Sequence, residues 1–305
     1  MELKFSYFFI VRQEFLNYIR QEKRYSRNTL KSYDTDLNQF QTYLSEQFQV
    51  NNPGKADHQM VRSWLVTMIE KGISARTINR KISCLKSFYK YLARNGQIEI
   101  NPMPRVISPK TGKQLPEFVK EADMDKLLNG IEFEDDFEGV RNKSIILTFY
   151  LTGMRISELI NIKITDIDMS GQQVKILGKR NKERLVPMPD HLKAILKEYL
   201  AKRSEIHGSD PQLNPYLFIT NLGKQTYQKL VYRIINKYLS YVSTNAKKSP
   251  HTLRHSFATI MLNKGAELNS IKEILGHSSL SATQVYTHNS IEKLIQIYKQ
   301  AHPRA

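Results

Sequence analysis

Through the first hundred residues apolar side chains recur at steps of three and four, the spacing of helices with one buried face. In SRNTLKSYDTDLNQFQTYL they fall at Leu30, Tyr33, Leu37, Phe40 and Leu44. The stretch from about Ser74 to Arg94 divides its surface more sharply. At 100° per residue, Ile78, Ile82, Leu85, Phe88, Tyr89 and Leu92 share an arc of roughly 120°. Arg76, Arg80, Lys86 and Lys90 gather on a second arc of about 120° on the other side. An apolar patch at 7–11, YFFIV, is too short to span a bilayer and runs at once into Arg12 and Glu14.

The pattern changes after Asn101-Pro102-Met103-Pro104. Residues 1–105 therefore read as a helical domain, and 106–116, proline-containing and without a period, as a linker. A mixed domain follows over 117–305. RNKSIILTFYLTG predicts a buried helix closed by Gly153, and RISELINI the start of another. QQVKILGK and ERLVPMP predict two strands joined by a turn around Arg180-Asn181-Lys182. Helices return from about Asp190 to the end. The expected fold class is mainly α with a small antiparallel β-sheet, in two domains, with no internal repeat.

Composition narrows the partners. The 305 residues are 40% hydrophobic and 25% charged, as in a soluble globular protein. With 46 Lys+Arg against 29 Asp+Glu, the formal charge is +17, which favours a polyanion, nucleic acid before anionic membrane. The cationic arc over 76–90 is then either a solvated face or a row of phosphate contacts along DNA. Cys84 is the only cysteine, which excludes an internal disulfide and a cysteine metal site and predicts a buried, inert thiol. No signal peptide or transmembrane pattern is visible, so a cytoplasmic location is expected.

Candidate chemistry concentrates in the second domain. Ser249-Pro250 marks a helix start and Gly265 its stop, which puts His251 and Arg254 in the first turn on one face. Free N–H groups and the positive end of the dipole point from that turn, an environment for an anion such as phosphate. A zinc reading of His251 and His255 lacks a catalytic glutamate and a third ligand, and Arg254 would repel the metal; His255 is read as structural. Arg155 follows Gly153 in LTGMRISEL, and Lys179 lies at the hairpin turn in LGKRNKERLVP. His277 and Tyr286 close the set in LGHSSLSATQVYTH. Neither a GxxxxGK[ST] loop (ITNLGKQT lacks the spacing) nor a paired-carboxylate metal site is apparent.

Together, LTGMRISEL, LGKRNKERLVP, HTLRHSFAT, GAELNSIKEILGH and TQVYTH resemble the tyrosine recombinase (phage integrase) family, most closely its Xer-type members. SRNTLKSYDTDL and SARTINRKISCLKSFYKYLARNG are similar to that family's core-binding (SAM-like) domain, so the resemblance covers nearly the whole chain. It implies a site-specific recombinase that uses no cofactor and no metal. Arg155 and Arg254 would hold the scissile phosphate, and Tyr286 would attack it to form a 3′-phosphotyrosyl bond. His251 would assist as base, Lys179 would protonate the departing 5′ oxygen, and His277 would hydrogen-bond a phosphate oxygen. Glu158 is either the family's supporting acid or a plain helix-surface glutamate.

The implied partners are a double-stranded DNA recombination site and a tetramer on two such sites, homomeric or shared with a paralogue. A septal DNA translocase is an implied regulator, and resolution of chromosome dimers at cell division the implied role. Integration of a mobile element, topoisomerase IB-like relaxation and a purely architectural DNA-binding role are the alternatives. Arg180 stands where Xer-type hairpins often carry glycine, which leaves Lys182 as an alternative to Lys179. After Tyr286, the face Ile291, Leu294, Ile295 and Tyr298 either packs on its own domain or docks on a neighbouring subunit.

Overall fold

The computed structural model describes residues 7–112, 118–178, 183–207, 214–244, 248–276, 298 and 300–302. Lys179, Arg180, Lys182, His277, Tyr286, Ile291, Leu294 and Ile295 lie outside them. The chain divides into two compact units, Met1–Gln114 and Leu115–Ala305.

The first unit is helical: α1 (Tyr7–Gln21), α2 (Arg27–Phe48), α3 (His58–Glu70) and α4 (Ala75–Arg94). The patch at 7–11 opens α1, with Phe8, Val11, Phe15 and Ile19 in the core. α4 begins where Ser74 accepts a hydrogen bond from the Thr77 amide, and its buried face contains all six residues of the apolar arc. Full burial of such side chains contributes about 1.5–3 kcal/mol each. Cys84 is buried, and desolvation pushes its thiol far above its ordinary range.

Lys81 is buried on that face too. Its Nζ donates to Asp36 Oδ1 at 2.8 Å and lies 5.5 Å from the centre of the Trp64 ring. Asp36 is fully enclosed on α2 and also pairs with Arg80, whose side chain stays 43% exposed. A carboxylate cut off from water persists only with such partners.

Part of the expected linker belongs to this unit. Val106 is buried, and Asn79 Nδ2 donates to the Pro109 carbonyl at 2.9 Å. An aperiodic stretch held by one apolar anchor and one side-chain hydrogen bond leaves no periodic signal in the sequence.

The second unit is built around α6 (Phe137–Thr152), whose residues other than Glu138 and Lys143 are all buried, so that it is enclosed nearly all round. α5 (Glu121–Gly130), α8 (Asp190–His207), α9 (Gln228–Val242), α10 (Pro250–Asn263) and α11 (Leu268–Leu275) complete its main helices among the described residues. α6 stops at Gly153, φ +58°. A Cβ there would come within 2.6 Å of Phe257 on α10 and 2.7 Å of Leu275 on α11, so only glycine lets the end of α6 pack this closely against α10 and the end of α11.

RISELINI forms a single turn, α7 (Ile156–Leu159), shorter than the expected helix. The chain is drawn out of helix because the Ile162 carbonyl accepts from Leu217 N at 2.8 Å and Ile164 N donates to Pro215 at 2.9 Å. A sheet of β1 (Ile167–Asp168), β2 (Gln173–Leu177) and β3 (Glu183–Pro187) follows, antiparallel in the order β1-β2-β3. The pairing Ile176↔Arg184 and Val174↔Val186 puts Arg184 on the inner, buried parity of β3. The segment ITNLGKQT is a tight turn closed by Thr220 N on the Lys224 carbonyl at 2.8 Å.

At the far end, Tyr298 is buried in the core of its own unit. Its hydroxyl donates to the Leu151 carbonyl at 2.7 Å, and its ring stacks on His302 at 5.0 Å. Of the two uses open to that apolar face, Tyr298 takes the first. Among the described residues no helix is long and apolar enough to cross a membrane.

Replacing Asp36 by alanine would strand Lys81 as an enclosed charge and is expected to lower the stability of the first unit by about 3 kcal/mol. Trp64 is the only tryptophan in the chain and lies beside Lys81, so its fluorescence in a urea titration follows this unit. An unchanged midpoint in Asp36→Ala would contradict the structural role of the pair.

Candidate active site

Arg155 caps the short α7 from outside, in extended backbone at φ −81° and ψ 153°. Its amide donates to Glu158 Oε2 at 2.7 Å and its Nη1 to Glu158 Oε1 at 2.9 Å. Nη2 donates to the Gly276 carbonyl at 2.9 Å, and the side chain is 26% exposed. Glu158 is thus no plain surface glutamate. It is buried, and it accepts from the residue three positions before it in the manner of a capping box.

Arg254 opens the second turn of α10, whose first turn begins where Ser249 accepts from the Thr252 amide at 3.3 Å and Pro250 starts the helix. Its Nη1 donates to the Gly153 carbonyl at 2.5 Å and its Nη2 to the Leu275 carbonyl at 2.7 Å. Burial lowers its pKa to about 10, with Arg155 and Arg184 acting in the same direction and Glu158 opposing them. The guanidinium stays charged at neutral pH. His251, one turn earlier, is exposed, while His255 is half-buried.

Arg184 is a third arginine of the cluster and was not among the candidate residues of the sequence. It is buried, and its Nη1 and Nη2 donate to Glu158 Oε1 and Oε2 at 2.9 and 2.8 Å, a bidentate pair. Its Nε donates to the Ile274 carbonyl at 2.8 Å. A signal was present: Arg184 has the inward parity of Val186, and a cation on a buried strand face requires an anion, which Glu158 supplies.

Three successive carbonyls at the end of α11 therefore each accept from a different arginine, Ile274 from Arg184, Leu275 from Arg254 and Gly276 from Arg155. The end of a helix carries unsatisfied carbonyls and partial negative charge, so it suits cations. Gly276 caps this helix at φ +65°. The cluster holds three guanidinium charges against the single carboxylate of Glu158, a surplus of two positive charges. Such a surplus suits an oxyanion.

Burial by itself would raise the carboxyl pKa of Glu158. The hydrogen bonds and charges of Arg184 and Arg155 outweigh it and hold the group below its ordinary 4.5. Among the described residues no group of three or more His, Cys, Asp or Glu side chains gathers to hold a metal ion. Arg76, Arg80, Lys86 and Lys90 are exposed along α4 of the first unit, with Arg80 tethered to Asp36. Lys179 belongs to the sequence between β2 and β3, and His277 follows Gly276 directly.

Two family models match the chain, the phage integrase family over residues 117–293 and the phage integrase N-terminal SAM-like domain over 13–96. A tyrosine recombinase XerC of Pelotomaculum thermopropionicum is 39% identical over 298 residues, covering 95% of this chain and 97% of that protein. A tyrosine recombinase XerC of Bacillus subtilis is 37% identical over 292 residues, covering 95% of each. The crystal structure of XerH site-specific recombinase bound to palindromic difH substrate, a post-cleavage complex, superposes with a TM-score of 0.71. The two are 25% identical, over 93% of this chain and 83% of that one.

The depressed pKa of Glu158 has a defined pH signature. A carboxylate held below its ordinary value contributes stability that is present above pH 4.5 and lost as pH falls through the lowered folded value. Glu158→Gln is therefore expected to destabilise the second unit by about 3 kcal/mol at neutral pH. Thermal melts should show that deficit shrinking below pH 4.5. A deficit that stays constant into acid would rule out the ionised pair as its source.

Proposed function

This chain belongs to the phage integrase family, the tyrosine recombinases, and from that premise we propose that it cuts and rejoins DNA at a specific site through a covalent bond to Tyr286. The observation that carries this reading is the arginine pair. Arg155 and Arg254 are partly withdrawn from water, fixed by neighbouring carbonyls, and set in a cluster with surplus positive charge. Fixed donors of that kind stabilise a phosphorane-like transition state without having to reorganise.

The Tyr286 phenolic oxygen attacks the scissile phosphorus. A P–O bond to tyrosine forms, the bond from phosphorus to the 5′ oxygen breaks, and the DNA is left with a 3′-phosphotyrosyl end and a 5′-hydroxyl. The phenol has a pKa near 10, so its proton must be drawn off during attack. His251, in the first turn of α10, is the assigned base. Lys179 gives a proton to the departing 5′ oxygen, with Lys182 as the alternative donor, and His277 hydrogen-bonds a phosphate oxygen. One phosphodiester is exchanged for one phosphotyrosyl ester, so the partner strand's 5′-hydroxyl reverses the step without ATP. Two such exchanges, one strand pair after the other, pass through a Holliday junction. Glu158 supports Arg155 throughout.

The exposed cations of α4, Arg76, Arg80, Lys86 and Lys90, are assigned to the DNA backbone, which the net charge of +17 favours over a merely solvated face. The active assembly is a tetramer on two DNA sites, homomeric or shared with a paralogue, in the cytoplasm and with a septal DNA translocase as regulator. The XerC names of the relatives support chromosome-dimer resolution over mobile-element integration as the role. In that assembly the segment around Ile291, Leu294 and Ile295 would dock on a neighbouring subunit.

Nicked DNA carrying candidate chromosomal recombination sites, incubated with the protein in excess EDTA, should give a protein–DNA adduct on a denaturing gel, because the short 5′ fragment diffuses away. Tyr286→Phe is expected to keep its DNA affinity and lose the adduct. A paralogue is added where the protein alone binds without reacting. An adduct that survives in Tyr286→Phe, or none on any site with or without a paralogue, overturns the reading. Relaxation of supercoiled DNA with no preferred site would identify a topoisomerase instead.

A further inference from the structure

Arg184 has no free edge to offer a substrate. Both Nη atoms are taken by Glu158, Nε by the Ile274 carbonyl, and the side chain is 5% exposed. Arg155, in contrast, is 26% exposed and gives Glu158 only one side-chain nitrogen. Its other Nη turns to the Gly276 carbonyl. An arginine next to a carboxylate ordinarily closes on both oxygens at once. Here both oxygens already accept from Arg184, and Oε2 also from the Arg155 amide.

We propose that Arg184 is a positioning residue that occupies Glu158 bidentately and thereby keeps Arg155 from collapsing onto it, leaving the Arg155 guanidinium presented to the phosphate. The inference rests on the recombinase reading above and adds a residue to it. Two further features fit. The Arg184 guanidinium passes so close to Gly276 that a Cβ there would lie 3.1 Å from Nη1, and Gly276 has φ +65°. Glycine at this position gives the guanidinium room to reach Glu158. The same side chain also ties its own strand β3 to α7 through Glu158 and to the end of α11 through the Ile274 carbonyl. Positioning of the Arg155 guanidinium is thereby coupled to β3 and to the end of α11.

The test compares Arg184→Gln with the double variant Arg184→Gln/Glu158→Gln in adduct formation on nicked DNA, beside binding to an intact half-site. In Arg184→Gln, Arg155 is free to close on Glu158, and the adduct rate should fall about 100-fold, the cost of a misplaced group about 1 Å from its working position. Half-site affinity should stay within about threefold, since most of it comes from other phosphate contacts. The double variant removes the carboxylate that captures Arg155, so it should react at least about tenfold faster than Arg184→Gln alone, a coupling of the sign that independent damage does not give. If Arg184→Gln does not fold, Arg184→Lys keeps a buried cation but cannot span both oxygens, and it should show the same split between rate and affinity. A wild-type rate in the single variant, a parallel loss of rate and affinity, or a double variant no faster than the single one overturns the proposal. Absence of adduct in the wild-type protein on every site, with or without a paralogue, would instead overturn the recombinase reading, and this inference with it.

Discussion

Three guanidinium groups cannot share one buried pocket without strong mutual repulsion, about 4 kcal/mol for two unit charges 4 Å apart at an effective dielectric of 20. Glu158 is the counter-charge that makes the arrangement stable. Its Oε1 accepts from both Arg155 and Arg184, its Oε2 from Arg184 and from the Arg155 amide. The remaining donors are absorbed by the carbonyl end of α11 and by Gly153. Neutralisation stops short of completeness, and the residual positive charge is what suits the pocket to the proposed phosphate.

The fold supplies this geometry by bringing helix and strand ends together. α6 runs through the centre of the second unit and ends at Gly153, where α10 and α11 close over it. Arg254 leaves α10 near its start and reaches back to the carbonyl of that same glycine. Arg155 comes two residues after it. The sheet then returns Arg184 from its buried face to the far side of Glu158. Each guanidinium is therefore held by backbone atoms of an element other than its own, and a shift in one helix end is felt by all three.

Most of the helical framework was legible because its signal is periodic. The apolar arc of α4 and the N-cap pair Ser249-Pro250 are local patterns, and the structure follows them. What escaped is non-local. Lys81 is buried because Asp36, forty-five positions earlier, is buried with it, and no window of adjacent residues contains that pairing. α7 is cut to one turn by hydrogen bonds to residues 215 and 217. Arg184 is hidden for a similar reason: a strand of five residues shows parity, but the partner that makes an inward cation tolerable lies twenty-six positions upstream. Arg155 and Arg254 were found through motifs, while the carbonyl contacts that orient them belong to a helix end that no motif describes.

As proposed, Arg155 and Arg254 grip one phosphate while remaining anchored to α11. The decisive measurement is a crystal structure of the protein on a DNA half-site. One backbone phosphate should lie within hydrogen-bonding distance of both guanidiniums, with the contacts to the Leu275 and Gly276 carbonyls still in place. A phosphate held by only one of the two arginines, or guanidiniums that release α11 in order to reach it, would overturn the proposed site.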